Sequence, residues 1–349
     1  MSLEQTLRQS ILNTLAYFDL ADYPLTKEEL FSFLWQPPVI SYDDFLLSLQ
    51  IFNTHPFIPP LKGEGQGVGF KSGYYFLPGR EKIIEERRRK LLISEQKLKI
   101  ARRAARLIKS VPFLKAVFVC NSAGSQQAND DSDIDFFIVT EKNRIWITRL
   151  LVTFVLELFR LRRAGKRIKN KICLSFYVTV ENLDLAKWRV ADDDVHFAYW
   201  LNQMLPIFDP DNYYLKFLQA NQWTKMYLPN IDAKQSICHS RQSGNPVDDC
   251  LDSHFHGNDN KLPIGESRLS KIWKKTWEKM WEGSYGNLID LQAKKIQLSK
   301  MKYSGKPIDR GEDKGVVISD GVLKFHEKDT RIAYREAWKQ KVYALEKSI

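Results

Sequence analysis

The sequence predicts an α+β protein. A small mixed β-sheet covered by helices is flanked by an N-terminal helical unit with a hairpin and by a mainly helical C-terminal region. Three observations carry this expectation. Between residues 112 and 185, short apolar strands alternate with a helix, a pattern that implies a mixed sheet with helices packed on it. Leu7, Ile11, Leu12, Leu15 and Phe18 repeat with helical spacing. The 349 residues are 44% hydrophobic and 27% charged, which fits a globular chain of two or three domains with a buried core and excludes a disordered one.

The elements follow in order. After the first helix, Pro24 breaks the chain, and Thr26 with Glu29 forms a capping box that opens a second helix through Leu34. Ser41 and Asp44 start a third helix before FLLSLQIF. GEGQGVG at 63–69 reads as a flexible tip, and the strand-like GYYFL closes the unit at Leu77. Three helices and a two-stranded wing over residues 1–80 resemble a winged helix-turn-helix domain. Residues 81–111 hold a basic connecting helix, with eleven Lys or Arg against four Glu over 81–110, ended by Pro112. Leu114–Cys120, 133–140 and 172–180 are strands, with a helix at 144–163 and a basic loop between the last two. Residues 112–185 therefore form the core. Residues 186–349 are mainly helical, with a mobile loop expected at 233–262 and a short hairpin at 315–326.

The stretch that carries chemistry is VFVCNSAGSQQANDDSDIDFFIVT, residues 117–140. Alternate residues of a strand share a face, so Asp133 and Asp135 point one way while Ile134 and Phe136 enter the core. Two carboxylates side by side repel unless a cation lies between them. Mg²⁺ prefers such hard oxygen ligands and shares them with substrate phosphates. In this stretch the chain resembles the DNA polymerase beta-like nucleotidyltransferase superfamily, in its minimal bacterial type. That superfamily carries h-G-[GS], nine to thirteen residues, then D-h-[DE]-h. The spacing places the glycine-serine pair at Asn121-Ser122, ten residues before Asp133; Gly124-Ser125 leaves only seven. Asparagine replaces the turn glycine, and it is the residue that best tolerates φ > 0 after glycine.

The resemblance implies Mg²⁺ (or Mn²⁺) on Asp133 and Asp135, an NTP such as ATP as substrate, and phosphates cradled at Asn121 and Ser122. Active members carry a third carboxylate on a neighbouring strand. The third strand has none inside it, with Ser175 and Thr179 as its polar members, so Glu181 at its end is the candidate. Arg144 and Arg149, following the D-h-D strand, are candidates for the phosphate oxygens. Two functional readings follow. One is a transferase moving an NMP from an NTP to an acceptor (small molecule, protein or RNA) that the sequence does not identify. The other is a catalytically inactive regulator or scaffold with a winged-helix binding module.

The remaining features bound the partners. The net charge of +11 favours acidic partners. The third helix of the wing unit offers Asp43 and Asp44 and no Lys or Arg, so sequence-specific DNA binding is not expected. Cys238, His239, Cys250, His254 and His256 lack the paired spacing of a zinc finger. Four cysteines in a chain this long imply a reducing compartment. LLVTFVLELF at 150–159 is too short for a membrane span, which needs about 20 apolar residues. A cytoplasmic protein with no membrane contact is expected.

Overall fold

The structure, a computed structural model, describes residues 3–54, 68–231, 263–303, 316–325 and 329–347. The expected loop at 233–262, the cysteines and histidines within it, and most of GEGQGVG lie outside the described residues.

The N-terminal unit comprises α1 (Leu3–Asp19), α2 (Lys27–Ser32), α3 (Tyr42–Thr54) and a hairpin of β1 (Gly69–Lys71) and β2 (Tyr74–Phe76). The capping box at α2 is complete: Thr26 Oγ1 accepts from the Glu29 amide and Glu29 Oε2 accepts from the Thr26 amide. The hairpin turns at Ser72-Gly73, both with positive φ, as a two-residue turn that matches strand twist requires. Glu29 does more than cap. Its two oxygens take both arms of the Arg87 guanidinium, at 2.6 and 2.8 Å, from the long helix α4 (Ile83–Ile108). Tyr23 and Tyr74 sandwich that guanidinium at 4.4 and 4.6 Å. The wing unit is thereby locked to the helix that leads into the rest of the chain.

Beyond α4 come β3 (Leu114–Cys120), the single turn α5 (Asn121–Gly124), β4 (Ile134–Thr140), α6 (Ile145–Leu158) and β5 (Ile172–Thr179). Then follow α7 (Val195–Asn202), β6 (Leu205–Phe208), α8 (Tyr213–Ala220), α9 (Arg268–Met280), α10 (Gly283–Tyr303), β7 (Val316–Ile318), β8 (Val322–Phe325) and α11 (Arg331–Lys347). One mixed sheet runs β6-β3-β4-β5-β8-β7, with β4 and β5 parallel and the other pairs antiparallel.

The sheet reaches beyond residues 112–185. β6 lies within 186–230, which reads as helical in sequence, because LPIF is too short and too uniformly apolar to show a period of two. The hairpin β7–β8 is near its expected place, and it extends the central sheet beside β5.

Each face of the sheet has its own core. Ile134, Phe136 and Ile138 pack with α4, α6 and Ala293 of α10 on one side. Phe137 and Val139 pack with Phe197, Leu201, Tyr214 and Phe217 of α7 and α8 on the other. A third core joins the wing unit to the C-terminal part: Trp35 stacks on Tyr227 at 4.9 Å, and the Trp338 indole donates to the Asn13 carbonyl at 2.9 Å. The basic α4 spends several of its cations internally, since Arg87, Lys90 and Lys97 are buried.

Removing one partner of a buried ion pair leaves the other charge unpaired, at a cost of about 3–5 kcal/mol. Glu29→Ala, which also strips the α2 cap, is expected to lower unfolding stability by at least that amount in a denaturant titration followed by circular dichroism. A loss below about 1 kcal/mol, the scale of an exposed ion pair, would show that the Arg87 lock does not hold the wing unit.

Candidate active site

β3 ends at Cys120, and the chain reverses at Asn121, whose φ of +54° lies in the left-handed region. Asparagine accepts that conformation, and its side chain is used: Asn121 Oδ1 accepts from the Trp200 indole at 2.6 Å while its amide donates to Asp135. Gly124 has a separate reason to be glycine. A Cβ there would sit 2.6 Å from the Val119 carbonyl oxygen, so the position serves close backbone packing beneath the turn. Asn121 and Ser122, not Gly124 and Ser125, head the turn that follows β3.

Asp135 opens β4 on the face shared with Phe137, toward α7. Its carboxylate accepts from Asn121, from the Cys173 thiol and from Ser175 Oγ, the last at 3.3 Å. Burial, then the neighbouring Asp133 charge, pushes its pKa up to about 6. Burial, then Asp135 and Asp133, pushes the Cys173 thiol up to about 12. Asp133 lies just before β4 and takes Arg163 Nη1 on Oδ2 at 2.5 Å; the same nitrogen is 3.9 Å from Cys173 Sγ.

One oxygen of each aspartate and the Cys173 sulfur lie within 4.8 Å of one another, and among the described residues this is the cluster able to hold a metal. Two carboxylates suit Mg²⁺ or Mn²⁺, whose remaining positions go to water and phosphate oxygens; the sulfur suits a softer ion. The donor set therefore fits the expected ion through its oxygens.

Strand pairing sets Cys173 beside Asp135, and a β-bulge follows. Asp135 pairs with Cys173 and Phe137 with Phe176, so β5 carries one extra residue against β4. The bulge brings Ser175 and Phe176 to one face: Ser175 reaches Asp135, and Phe176 joins the α7–α8 core. From the other side Lys97 of α4, fully buried, donates to the Asp130 and Ser132 carbonyls at 3.3 and 2.7 Å and to Asn170 at 2.8 Å. It ties the segment before Asp133 to the one before β5.

A cavity of about 480 Å³ opens beside the turn, lined by Asn121 and Ser122 together with Tyr17, Trp188, Trp200 and Arg331. Its size is that of a small-ligand site. His196 also borders it; burial, then Arg331, lowers its pKa to about 4, so the ring is neutral at pH 7 and pairs through Nδ1 with the Tyr17 hydroxyl at 2.9 Å. No family model, curated protein or solved structure matches this chain. What the site can do therefore rests on its own geometry.

Of the sequence candidates, Asn121, Ser122, Asp133 and Asp135 come together. Three others do not. Glu181 follows the far end of β5, exposed and paired with Lys142 at 2.7 Å, because β5 runs parallel to β4 and the acids sit where both strands begin. Arg144 lies past the far end of β4, buried, and binds Asn287 and the Trp281 carbonyl. Arg149 pairs with Gln297 of α10, with its guanidinium 4.7 Å from the Phe325 ring. Both hold α10 against the core. Only when the chain has run back along α6 does its basic loop return to the acids, which is why Arg163 arrives there. Cys173 is invisible to a search for carboxylates. Among the described residues no helix is long and apolar enough to cross a membrane.

Two outcomes follow. Asp135 holds its proton more tightly folded than unfolded, so its contribution to stability is greatest below about pH 4 and declines as pH rises to about 6. Asp135→Asn is therefore expected to raise the thermal midpoint at pH 8 by a few degrees, about 2–4 °C per kcal/mol, with little gain at pH 4; a lower midpoint at pH 8 contradicts the assignment. Arg144→Ala is expected to destabilise the fold by about 2–4 kcal/mol in a denaturant titration; unchanged stability would show that Arg144 does not hold α10 against the core.

Proposed function

We propose that this chain is a metal-dependent nucleotidyltransferase that moves an NMP from an NTP to an acceptor and releases pyrophosphate. The observation that carries the reading is the pairing of Asp133 and Asp135 beside a left-handed Asn121-Ser122 turn that borders a cavity of nucleotide size. Asp133 and Asp135 would hold Mg²⁺ or Mn²⁺. When bound, the ion supplies positive charge that polarises a phosphoryl group and offsets charge on departing pyrophosphate.

The chain's own residues do the rest. Asn121 and Ser122 hold the phosphates, with the Ser122 hydroxyl and backbone N–H as donors. Asn121 fixes Asp135, and Ser175 and Cys173 donate to it. Lys97 fixes the backbone that carries Asp133. The aromatic side chains of the cavity offer ring faces to a planar group. The acceptor, whether small molecule, protein or RNA, carries the attacking hydroxyl or other nucleophile.

One observation favours the second reading, an inactive nucleotide-binding regulator or scaffold: Cys173 stands in the cluster where active relatives of the proposed superfamily carry a third carboxylate. Incubation with γ-labelled NTPs and Mg²⁺ or Mn²⁺, with small-molecule, protein and RNA fractions offered in turn as acceptors, separates the two. The wild type is expected to release labelled pyrophosphate, and Asp133→Ala with Asp135→Ala to reduce release by about 10²–10³-fold or more. Nucleotide binding without pyrophosphate release would establish the second reading, and absence of both would end the nucleotide proposal.

A further inference from the structure

Arg163 occupies an unusual place. It is anchored by its backbone, since its amide donates to the Ile172 carbonyl at 2.9 Å and the Ile172 amide donates to the Leu161 carbonyl at 2.8 Å. Its side chain reaches over the start of β5 to Asp133 Oδ2, while 44% of that side chain stays exposed. Among the described residues it is the cation in contact with Asp133. Its loop neighbours are engaged elsewhere: Arg162 with Glu157, Lys169 with Asp131, and Lys171 with the Arg160 carbonyl. The Arg163 guanidinium therefore rests against the very atoms, Asp133 Oδ2 and Cys173 Sγ, that belong to the candidate metal cluster.

We propose that Arg163 is the polyphosphate-binding arginine of this site, and that it guards Asp133 until a metal-bound polyphosphate arrives. The inference rests on the nucleotidyltransferase reading and names a residue the sequence did not. The charges decide its logic. Two carboxylates bring −2 and Arg163 returns +1. A divalent ion entering alone would bring the total cationic charge to +3, with the ion and the guanidinium competing for one carboxylate oxygen. The ion gains Asp133 only by displacing Arg163, and the displaced guanidinium has no new partner. An ion that enters with a polyphosphate brings several anionic oxygens with it. Arg163 then exchanges the carboxylate for phosphate oxygens, which the planar fork of a guanidinium is well suited to bind.

The fixed backbone and half-exposed side chain allow that swing without unfolding the loop. Metal and polyphosphate thus assist each other's binding through one side chain, and such coupling is reciprocal. Free metal is held weakly, and Asp133 keeps a cationic partner in its absence.

The test uses the full chain and two titrations, one with Mn²⁺ alone and one with preformed Mn²⁺–tripolyphosphate, on the wild type, Arg163→Ala, Arg163→Gln and Asp133→Ala. Arg163→Gln keeps much of the side chain's bulk and guards against loss of packing. The expected signature has opposite signs. Both Arg163 variants bind Mn²⁺ alone about fivefold or more tightly than wild type, and bind Mn²⁺–tripolyphosphate about fivefold or more weakly. A residue that merely supported the loop would weaken both. Equal Mn²⁺ affinity in wild type and Arg163 variants, with Asp133→Ala still abolishing it, overturns the role of Arg163 and leaves the metal site standing. Mn²⁺ binding that ignores Asp133→Ala, or is absent from every form, overturns the metal site itself and this role with it.

Discussion

Two carboxylates set side by side at the start of one strand cannot both remain charged in a half-closed site unless something positive or hydrogen-bonding meets them, and much of the structure around β4 answers that constraint. Asp135 is met by three donors, Asn121, Cys173 and Ser175, and still holds its proton up to about pH 6. Asp133 is met by a guanidinium. The Asp135–Cys173 strand pairing, the left-handed residue after β3 and the buried Lys97 are the devices that bring those partners within reach. On the proposed reading, a divalent ion with phosphate would relieve the negative charge that remains at such a site.

The surrounding architecture positions this site more than it adds to it. β3 and β4 deliver the turn and the acids to one end of the sheet, where the antiparallel pair brings Cys120 opposite Asp135. α7 supplies Trp200 to hold the turn, and the wing unit, bound through Glu29–Arg87 and through Trp35–Tyr227, closes the cavity from above with Tyr17. The N-terminal unit thus forms part of the cavity wall. Its third helix presents exposed Asp43 and Asp44, a poor surface for a phosphate backbone.

Much of this was legible in the residues because it is local. Short apolar runs located β3, β4 and β5 almost to the residue, and Thr26 with Glu29 marked a helix start that the fold uses as written. Asn121 suits a turn of positive φ for reasons intrinsic to its side chain. What was not legible depends on register and direction. Glu181 is the carboxylate nearest the end of β5 in sequence, yet a parallel partner strand puts that end away from the acids. Arg144 and Arg149 follow β4 in the chain, yet the chain has by then left the site. Ser175 and Phe176 share one face because of a bulge, and no periodicity in ICLSFYVT announces one. β6 hides in four apolar residues. These are all facts of tertiary pairing, which a one-dimensional pattern does not carry.

The account stands or falls on whether Asp133 and Asp135 share a cation. A crystal structure of the chain grown with Mn²⁺ and a non-hydrolysable NTP, with anomalous scattering recorded at the manganese edge, tests this most directly. The account predicts an anomalous peak about 2.0–2.5 Å from an oxygen of each aspartate, with phosphate oxygens completing the shell and Arg163 turned toward them. Nucleotide bound with no peak between the acids, and Arg163 still on Asp133, would contradict it.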